Sequence, residues 1–180
     1  MEVSQKMIVS LSRLFQLGLN KGNEITTLDK EIQHVREYLK LQMFCYEHLF
    51  EYDIQVNGPW LLQLPIPRIM LQPLVENSIL HGFESMESGG RIDIGIEANE
   101  EKGQWTIRVR DNGKGIDESR LHSLLQDSGE EKGYAVGNLL SRLQLYYGDL
   151  ASLSIDSIPG EGTTVLITIP LKGELSDVQS

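Results

Sequence analysis

The sequence predicts an α+β fold in which about three helices cover one face of a mixed sheet of about five strands. Three observations carry that prediction. Apolar and polar residues alternate along five short stretches, recur at helical spacing along others, and Gly-, Asn- and Pro-rich turns separate the two kinds of segment. Residues 1–50 form a helical segment ahead of this mixed region, which is taken as 51–173; a polar tail, 174–180, follows it.

Each element has its own signal. Val3, Met7, Leu11 and Leu14 fall at helical intervals over residues 3–17, and the stretch Gly18 to Gly22 ends the pattern. Thr26 or Thr27 caps a second helix, whose stripe is Leu28, Ile32, Val35 and Leu39, widened by Tyr38, Leu41 and Cys45. Two such amphipathic helices cannot bury themselves alone; they need each other, the following domain or a second copy of the chain. From Glu51 the period becomes two: Tyr52, Ile54 and Val56 make a strand that stops at Asn57-Gly58-Pro59. Ile66 to Phe83 reads as one helix. Ile92, Ile94 and Ile96, then Trp105, Ile107 and Val109, form two strands joined by the turn at 100–103. Residues 117–126 read as a short helix, 127–133 as a loose Gly/Ser/Glu/Lys stretch, and Leu139 to Tyr147 as a helix. Leu153/Ile155 and Val165/Ile167/Ile169 close the fold as strands joined by Pro159-Gly160-Glu161-Gly162. The tail after Leu171 is polar and frays.

Composition narrows the function classes. The 180 residues suit one good-sized domain, or a domain plus a helical appendage. No apolar run approaches the ~20 residues that span a bilayer, and the N-terminus lacks the pattern of a secretory signal. The single cysteine, Cys45, excludes an intrachain disulfide framework. Cytoplasmic and soluble is the expectation. The net charge of −10 falls entirely on residues 51–180, because the six acidic and six basic residues of 1–50 cancel. So acidic a domain is a poor nucleic-acid binder. A nucleotide would have to be held locally, by backbone amides, a helix N-terminus and a bound metal ion.

Four segments carry candidate chemistry. Gln72-Pro73-Leu74-Val75-Glu76-Asn77-Ser78-Ile79-Leu80-His81-Gly82 turns Leu74, Val75 and Ile79 to a core and places Asn77 and His81, four apart, on another face beside Glu76. An Asn carbonyl is a neutral oxygen ligand for Mg²⁺ when phosphates bring the remaining charge. Alone, the segment reads more readily as an amphipathic helix with a polar face. Asp111-Asn112-Gly113-Lys114-Gly115 sets a carboxylate at a strand end, where the glycines let the backbone approach a ligand; alone, it is equally a Gly-rich turn. Pro159-Gly160-Glu161-Gly162-Thr163 reads as well as a plain hairpin. Gly133 to Asn138 is a flexible stretch whose exposed amides, opening the helix 138–147, can hold a phosphate.

The order and spacing of these segments resemble the GHKL ATPases, the superfamily of gyrase, heat-shock chaperone, mismatch-repair and histidine kinase ATP-binding domains. Within it, Ile69-Met70-Leu71-Gln72-Pro73-Leu74-Val75-Glu76-Asn77 with His81-Gly82 is similar to the LytS/YesM-type bacterial sensor histidine kinases. So are Leu28-Asp29-Lys30-Glu31-Ile32 leading to Tyr38-Leu39-Lys40-Leu41-Gln42, and Asn138-Leu139-Leu140-Ser141-Arg142-Leu143 running into Tyr147-Gly148. The resemblance covers residues 5–171. It implies a Bergerat-type α/β sandwich that binds ATP. Asn77 would ligate the Mg²⁺ that bridges the phosphates, and Asp111 would accept from the adenine amino group, with Gly113 and Gly115 shaping its pocket. Residues 117–137 would be a lid over the phosphates, with Gly133 and Gly137 in it, and Thr163 would support the adenine side. Glu76 and His81 would line the phosphate side, one of them helping to activate the acceptor.

The resemblance also implies transfer of the γ-phosphoryl group to a histidine and onward relay to a response regulator, in a kinase that dimerises and whose parent protein sits in the bacterial membrane. The His-Phe-x-x-Asn phosphoacceptor motif of this group is not in the sequence; its expected place is ahead of Met1, so this chain alone is not expected to autophosphorylate. His34 is followed by Val35 rather than an acid and is not expected to accept phosphate; His48 and His122 are expected at the surface. Leu80 replaces a usual Lys, Ala135 the second Gly of a Gly-x-Gly lid, and the usual Arg near Cys45 is lacking. Leu80 and Ala135 keep open an alternative, a degenerate module that binds nucleotide or partner without kinase activity. Pro73 stands where water-activating GHKL ATPases carry a Glu, which argues against efficient hydrolysis.

Overall fold

A computed structural model describes residues 24–121 and 134–171. The expected helix over 3–17, the stretch 127–133, His122, Gly133 and the tail 174–180 lie outside the described residues. The described elements run β1 (Ile25–Thr27), α1 (Leu28–Cys45), β2 (Phe50–Asn57), β3 (Pro65–Pro67), α2 (Gln72–Asn77), β4 (Gly90–Asn99), β5 (Gln104–Asp111), α3 (Tyr134–Tyr147), β6 (Ser152–Ile158) and β7 (Gly162–Pro170). None of the described helices is long and apolar enough to cross a membrane.

The main sheet has five strands in the order β2-β4-β5-β7-β6. Only β2 and β4 are parallel; the other neighbours are antiparallel, so the sheet is mixed as expected. A parallel pair needs a crossover, and here the connection from β2 to β4 contains α2. Register places Ile54 beside Ile94, Ile96 beside Ile107, and Ile107 beside Ile167. Ile92, Ile94, Ile96, Ile107 and Ile167 are buried and share one core with Leu39, Leu74, Val75 and Leu143 from the helices. Truncating any of these isoleucines to Ala would cost about 2–5 kcal/mol.

Thr27, not Thr26, caps α1: it has extended backbone and its side chain accepts from the Lys30 amide. Leu28, Ile32, Val35, Tyr38 and Leu39 are buried as their spacing predicts, and they join the same core as the sheet. Cys45, expected to widen this stripe, is exposed. Glu31, His34 and Glu37 are buried alongside the stripe.

The continuous helix expected over 66–83 does not form. Pro65–Pro67 is a strand paired antiparallel with β1, Ile25 against Pro67. Pro67 has no N–H for a helix and restricts Ile66 to extended backbone. Ile69 then takes a left-handed backbone, φ +56°, and helix begins only at Gln72, with Pro73 in the first turn, where a missing N–H costs little. The second departure is at α3, which starts at Tyr134 rather than near residue 138. Gly137 therefore lies inside the first turn of that helix, and position 135 has helical backbone. Of the helix expected over 117–126, the described part, 118–121, is helical, with the Leu121 amide donating to the Asp117 carbonyl at 2.9 Å, and the Asp117 carboxylate accepts from the Ser119 hydroxyl at 2.5 Å and the Arg120 amide at 2.8 Å.

Candidate functional site

Asp111 ends β5 and is 6% exposed. Its Oδ1 accepts from the Gly113 amide at 2.9 Å and the Thr163 amide at 3.2 Å; its Oδ2 accepts from the Ser78 hydroxyl at 2.8 Å. An ionised carboxylate offers about four acceptor positions, so three donors leave one free. Asp111, Gly113 and Thr163, singled out separately in the sequence, thus meet in one hydrogen-bonded group. Ser78 joins them although sequence reasoning passed over it.

The turn after Asp111 is closely packed. A methyl at Gly113 would lie 2.5 Å from the Gly82 carbonyl oxygen, and one at Gly115, where φ is +67°, would lie 2.2 Å from the Ile158 carbonyl oxygen. Neither position has room for a side chain, and Gly115 has a backbone that side chains resist. The Lys114 amide donates to the Gly82 carbonyl at 2.9 Å, and the Gly160 amide to the Lys114 carbonyl at 2.8 Å. Ser157 completes the brace: its hydroxyl donates to the Gly162 carbonyl at 3.0 Å and accepts from the Ile116 amide at 2.8 Å, and it lies 2.9 Å from the Thr163 hydroxyl. The segment 159–163 therefore packs against the turn after Asp111 as well as forming a hairpin turn. Asn112 pins the other side, with its side chain accepting from the Arg91 amide and donating to the Gly89 carbonyl.

Asn77 is the last residue of α2, and the chain continues into a π turn over Ser78–Gly82, in which the Phe83 amide reaches the Ser78 carbonyl five residues back at 2.9 Å. Such widened turns concentrate at functional sites. The turn replaces the regular helix assumed for Asn77 and His81, and it places Ser78 against Asp111. Asn77 is half-buried, and its side chain makes no hydrogen bond among the described residues. His81 and Leu80 are exposed. Lys114 is ion-paired with Glu84 just beyond the turn. That hydrogen bond and the ammonium charge hold the Glu84 carboxyl below its ordinary range, with smaller help from His81 and Arg120. Glu76 is half-buried and near the Tyr38 phenol of α1, whose pKa is pushed up first by burial and then by the Glu76 charge. Glu76 and His81 thus have different surroundings: one faces α1, the other solvent.

Asp111 keeps one acceptor position, and Asn77 a side-chain oxygen, with which a ligand could be held. The free acceptor position on Asp111 suits an exocyclic amine. No cluster of three or more His, Cys, Asp or Glu able to hold a metal occurs among the described residues, so a cation at Asn77 would be shared with anionic groups of a ligand. Gly137 has open space around it, and Gly133 lies outside the described residues.

A family model described as histidine kinase-, DNA gyrase B- and HSP90-like ATPase matches residues 65–173. The chain belongs to that ATPase family. A second model, described as histidine kinase, matches residues 1–50, and the chain is of the sensor histidine kinase type within the family. It is 34% identical over 173 residues to the sensor histidine kinase/phosphatase LytS of Staphylococcus aureus, covering 94% of this chain and 29% of that protein. The chain therefore spans less than a third of the length of the curated relatives it matches. Among solved structures, the histidine kinase domain of the Erythrobacter litoralis blue-light activated histidine kinase superposes with a TM-score of 0.60 at 18% identity, over 95% of this chain and 76% of that one. The catalytic domain of the histidine kinase ThkA gives 0.61 at 14% identity, over 83% of this chain and 97% of that one. These likenesses establish the histidine kinase-type ATPase fold, a mixed five-stranded sheet under helices.

Proposed function

We propose that residues 51–173 bind ATP with Mg²⁺ and donate its γ-phosphoryl group to a histidine supplied from outside these residues, for relay to an aspartate of a response regulator. The observation that carries the proposal is the buried Asp111 carboxylate, held by three donors with one acceptor position free, and joined through Ser78 to the turn that follows Asn77.

In this proposal Asp111 accepts from the adenine amino group, and Gly113, Gly115 and Thr163 keep its walls close. Asn77 offers its side-chain oxygen to the ion. Mg²⁺, when bound, neutralises phosphate charge as the γ-phosphoryl group moves. Glu76 or His81 assists the acceptor histidine; His81 has the solvent access that an incoming helix requires. Gly133 and Gly137 belong to the lid, with Gly137 in the first turn of α3. Residues 1–50 are proposed as part of a dimerising helical region, the working unit as a homodimer, and these residues as cytoplasmic in a parent protein anchored in the bacterial membrane. A second reading, a degenerate module that binds without phosphotransfer, draws on Leu80, an exposed apolar residue where the related kinases carry Lys.

The test is complementation in trans. This chain, mixed with a longer version that carries the histidine but has Asn77→Ala, should transfer label from [γ-³²P]ATP to an acid-labile phosphohistidine on the longer chain. Label on neither chain, with Mg-ATP bound, would favour the degenerate module; label on His34 would contradict the assigned acceptor.

A further inference from the structure

The peptide 68–71, between β3 and α2, is held from both sides by charged side chains that the nucleotide pocket does not use. From α1, the Glu31 carboxylate, 2% exposed, accepts from three successive amides: Ile69 at 3.0 Å, Met70 at 2.6 Å and Leu71 at 3.0 Å. From α3, the Arg142 guanidinium donates to the carbonyls of Arg68 at 2.6 Å and Ile69 at 3.3 Å. Successive N–H groups converging on one point make an anion-binding nest, and here the chain's own carboxylate fills it.

The held peptide is strained. Ile69 has φ +56°, a region that a β-branched residue enters only when its surroundings impose it. The charges on the two sides are complementary to the two faces of the peptide: the carboxylate takes its N–H groups and the guanidinium its carbonyls. Loss of either partner lets residue 69 relax toward ordinary backbone. Gln72 begins α2 directly after this peptide, and Asn77 is five residues further on. Ordinary capping does not explain the arrangement, because the three amides precede the helix rather than belonging to its first turn.

We infer that Glu31 and Arg142 are positioning residues for the metal side of the nucleotide site. Together they clamp 68–71 so that α2, and with it Asn77, is fixed relative to α1 and to α3, the helix into which the lid runs. The inference rests on the assignment of Asn77 to the metal, and it assigns a task to two residues that touch neither nucleotide nor ion. It also makes the clamp a mechanical link, since a shift of α1 moves Glu31 and so moves Asn77.

The experiment compares the parent chain with Glu31→Gln, Arg142→Gln and the double variant. Amide hydrogen exchange without nucleotide, thermal midpoints, and titrations with Mg-ATP and with adenosine are read for each. Both single variants should speed exchange across 69–77 while leaving that of Gly113 and Thr163 unchanged. Mg-ATP affinity should fall about tenfold and adenosine affinity should stay within about twofold. Because both residues act on one peptide, the double variant should be no worse than the more severe single one rather than the product of the two. Parallel loss of adenosine and Mg-ATP binding, unchanged exchange across 69–77, or multiplicative effects would overturn the clamp. Should Glu31→Gln not fold, Arg142→Gln, whose guanidinium reaches the peptide from the other side, applies the same criteria. If the parent chain binds no Mg-ATP, the nucleotide assignment fails by itself, and exchange in the single and double variants still decides the clamp.

Discussion

The two ends of the candidate site are built in opposite ways. Asp111 is buried and receives hydrogen bonds from Ser78, Gly113 and Thr163, drawn from three separate segments. Asn77, one residue from Ser78, is half-buried, its side chain making no hydrogen bond among the described residues, on a short helix that runs into a π turn. The fold thus satisfies most of the acceptor capacity of Asp111 from within and leaves the Asn77 side chain unsatisfied; under the proposed function, the first end would meet adenine and the second the ion and phosphates. A buried charge needs its donors to be tolerated at all, whereas a half-exposed amide can wait for its ligand in water. If the proposed function holds, the difference also separates stability from binding: Asp111 would serve both, Asn77 only the second.

The largest expected effect exploits that split. Asn77→Ala should abolish Mg²⁺-dependent ATP binding in calorimetric titration while changing folding stability by no more than about 0.5 kcal/mol. A large drop in thermal midpoint would mean that Asn77 is a structural residue. Asp111→Ala should do the reverse mixture. It removes the discrimination of ATP over GTP, and it costs roughly 2–4 kcal/mol of stability because the Ser78 hydroxyl and two backbone amides lose their acceptor. Unchanged stability in that variant would contradict the hydrogen bonding described around Asp111.

The smallest expected effect concerns a buried polar group that, unlike Asp111, lacks a partner. His34 is buried on α1 and its Nδ1 has no hydrogen bond. Burial lowers its pKa from 6.5, the nearby Glu31 charge opposes that shift, and Arg68 reinforces it. The unfolded chain therefore takes up this proton at a higher pH than the folded chain does. Stability should be insensitive to His34 above pH 6.5 and should decline as the pH falls below it. Thermal midpoints measured from about pH 8 to about pH 5 should show this decline, and His34→Gln should flatten it. An unchanged slope in the variant would assign the pH dependence to other groups.

Much of this was legible in the sequence where a local rule applied. The alternating apolar residues of β2, β4, β5 and β7 have a period of two that marks them as strands, and Asp111-Asn112-Gly113-Lys114-Gly115 follows one of those strands, where its glycines allow a tight approach. Long-range partnerships were not legible. Glu31 reads as one more polar residue on an amphipathic helix, because the amides it meets lie 38 to 40 residues away. Ser78 carries no signal of its own beside Asn77. The helix expected over 66–83 failed because apolar spacing continues through Pro65–Pro67, and a three-residue strand such as β3 is too short to show a period. The start of α3 was placed late because Gly133 and Gly137 look like a loop, although a helix tolerates Gly in its first turn.

The most direct measurement replaces Mg²⁺ with paramagnetic Mn²⁺ in the presence of ATP and follows the backbone and side-chain amides of the isotope-labelled chain by NMR. At substoichiometric Mn²⁺, relaxation enhancement should be largest at Asn77 and the turn after it and weaker at Gly113 and Thr163, whose resonances should also shift when Mg-ATP binds. Broadening centred elsewhere, or nucleotide shifts that leave Asp111 and its neighbours untouched, would contradict a single site shared by the helix-borne amide and the buried carboxylate.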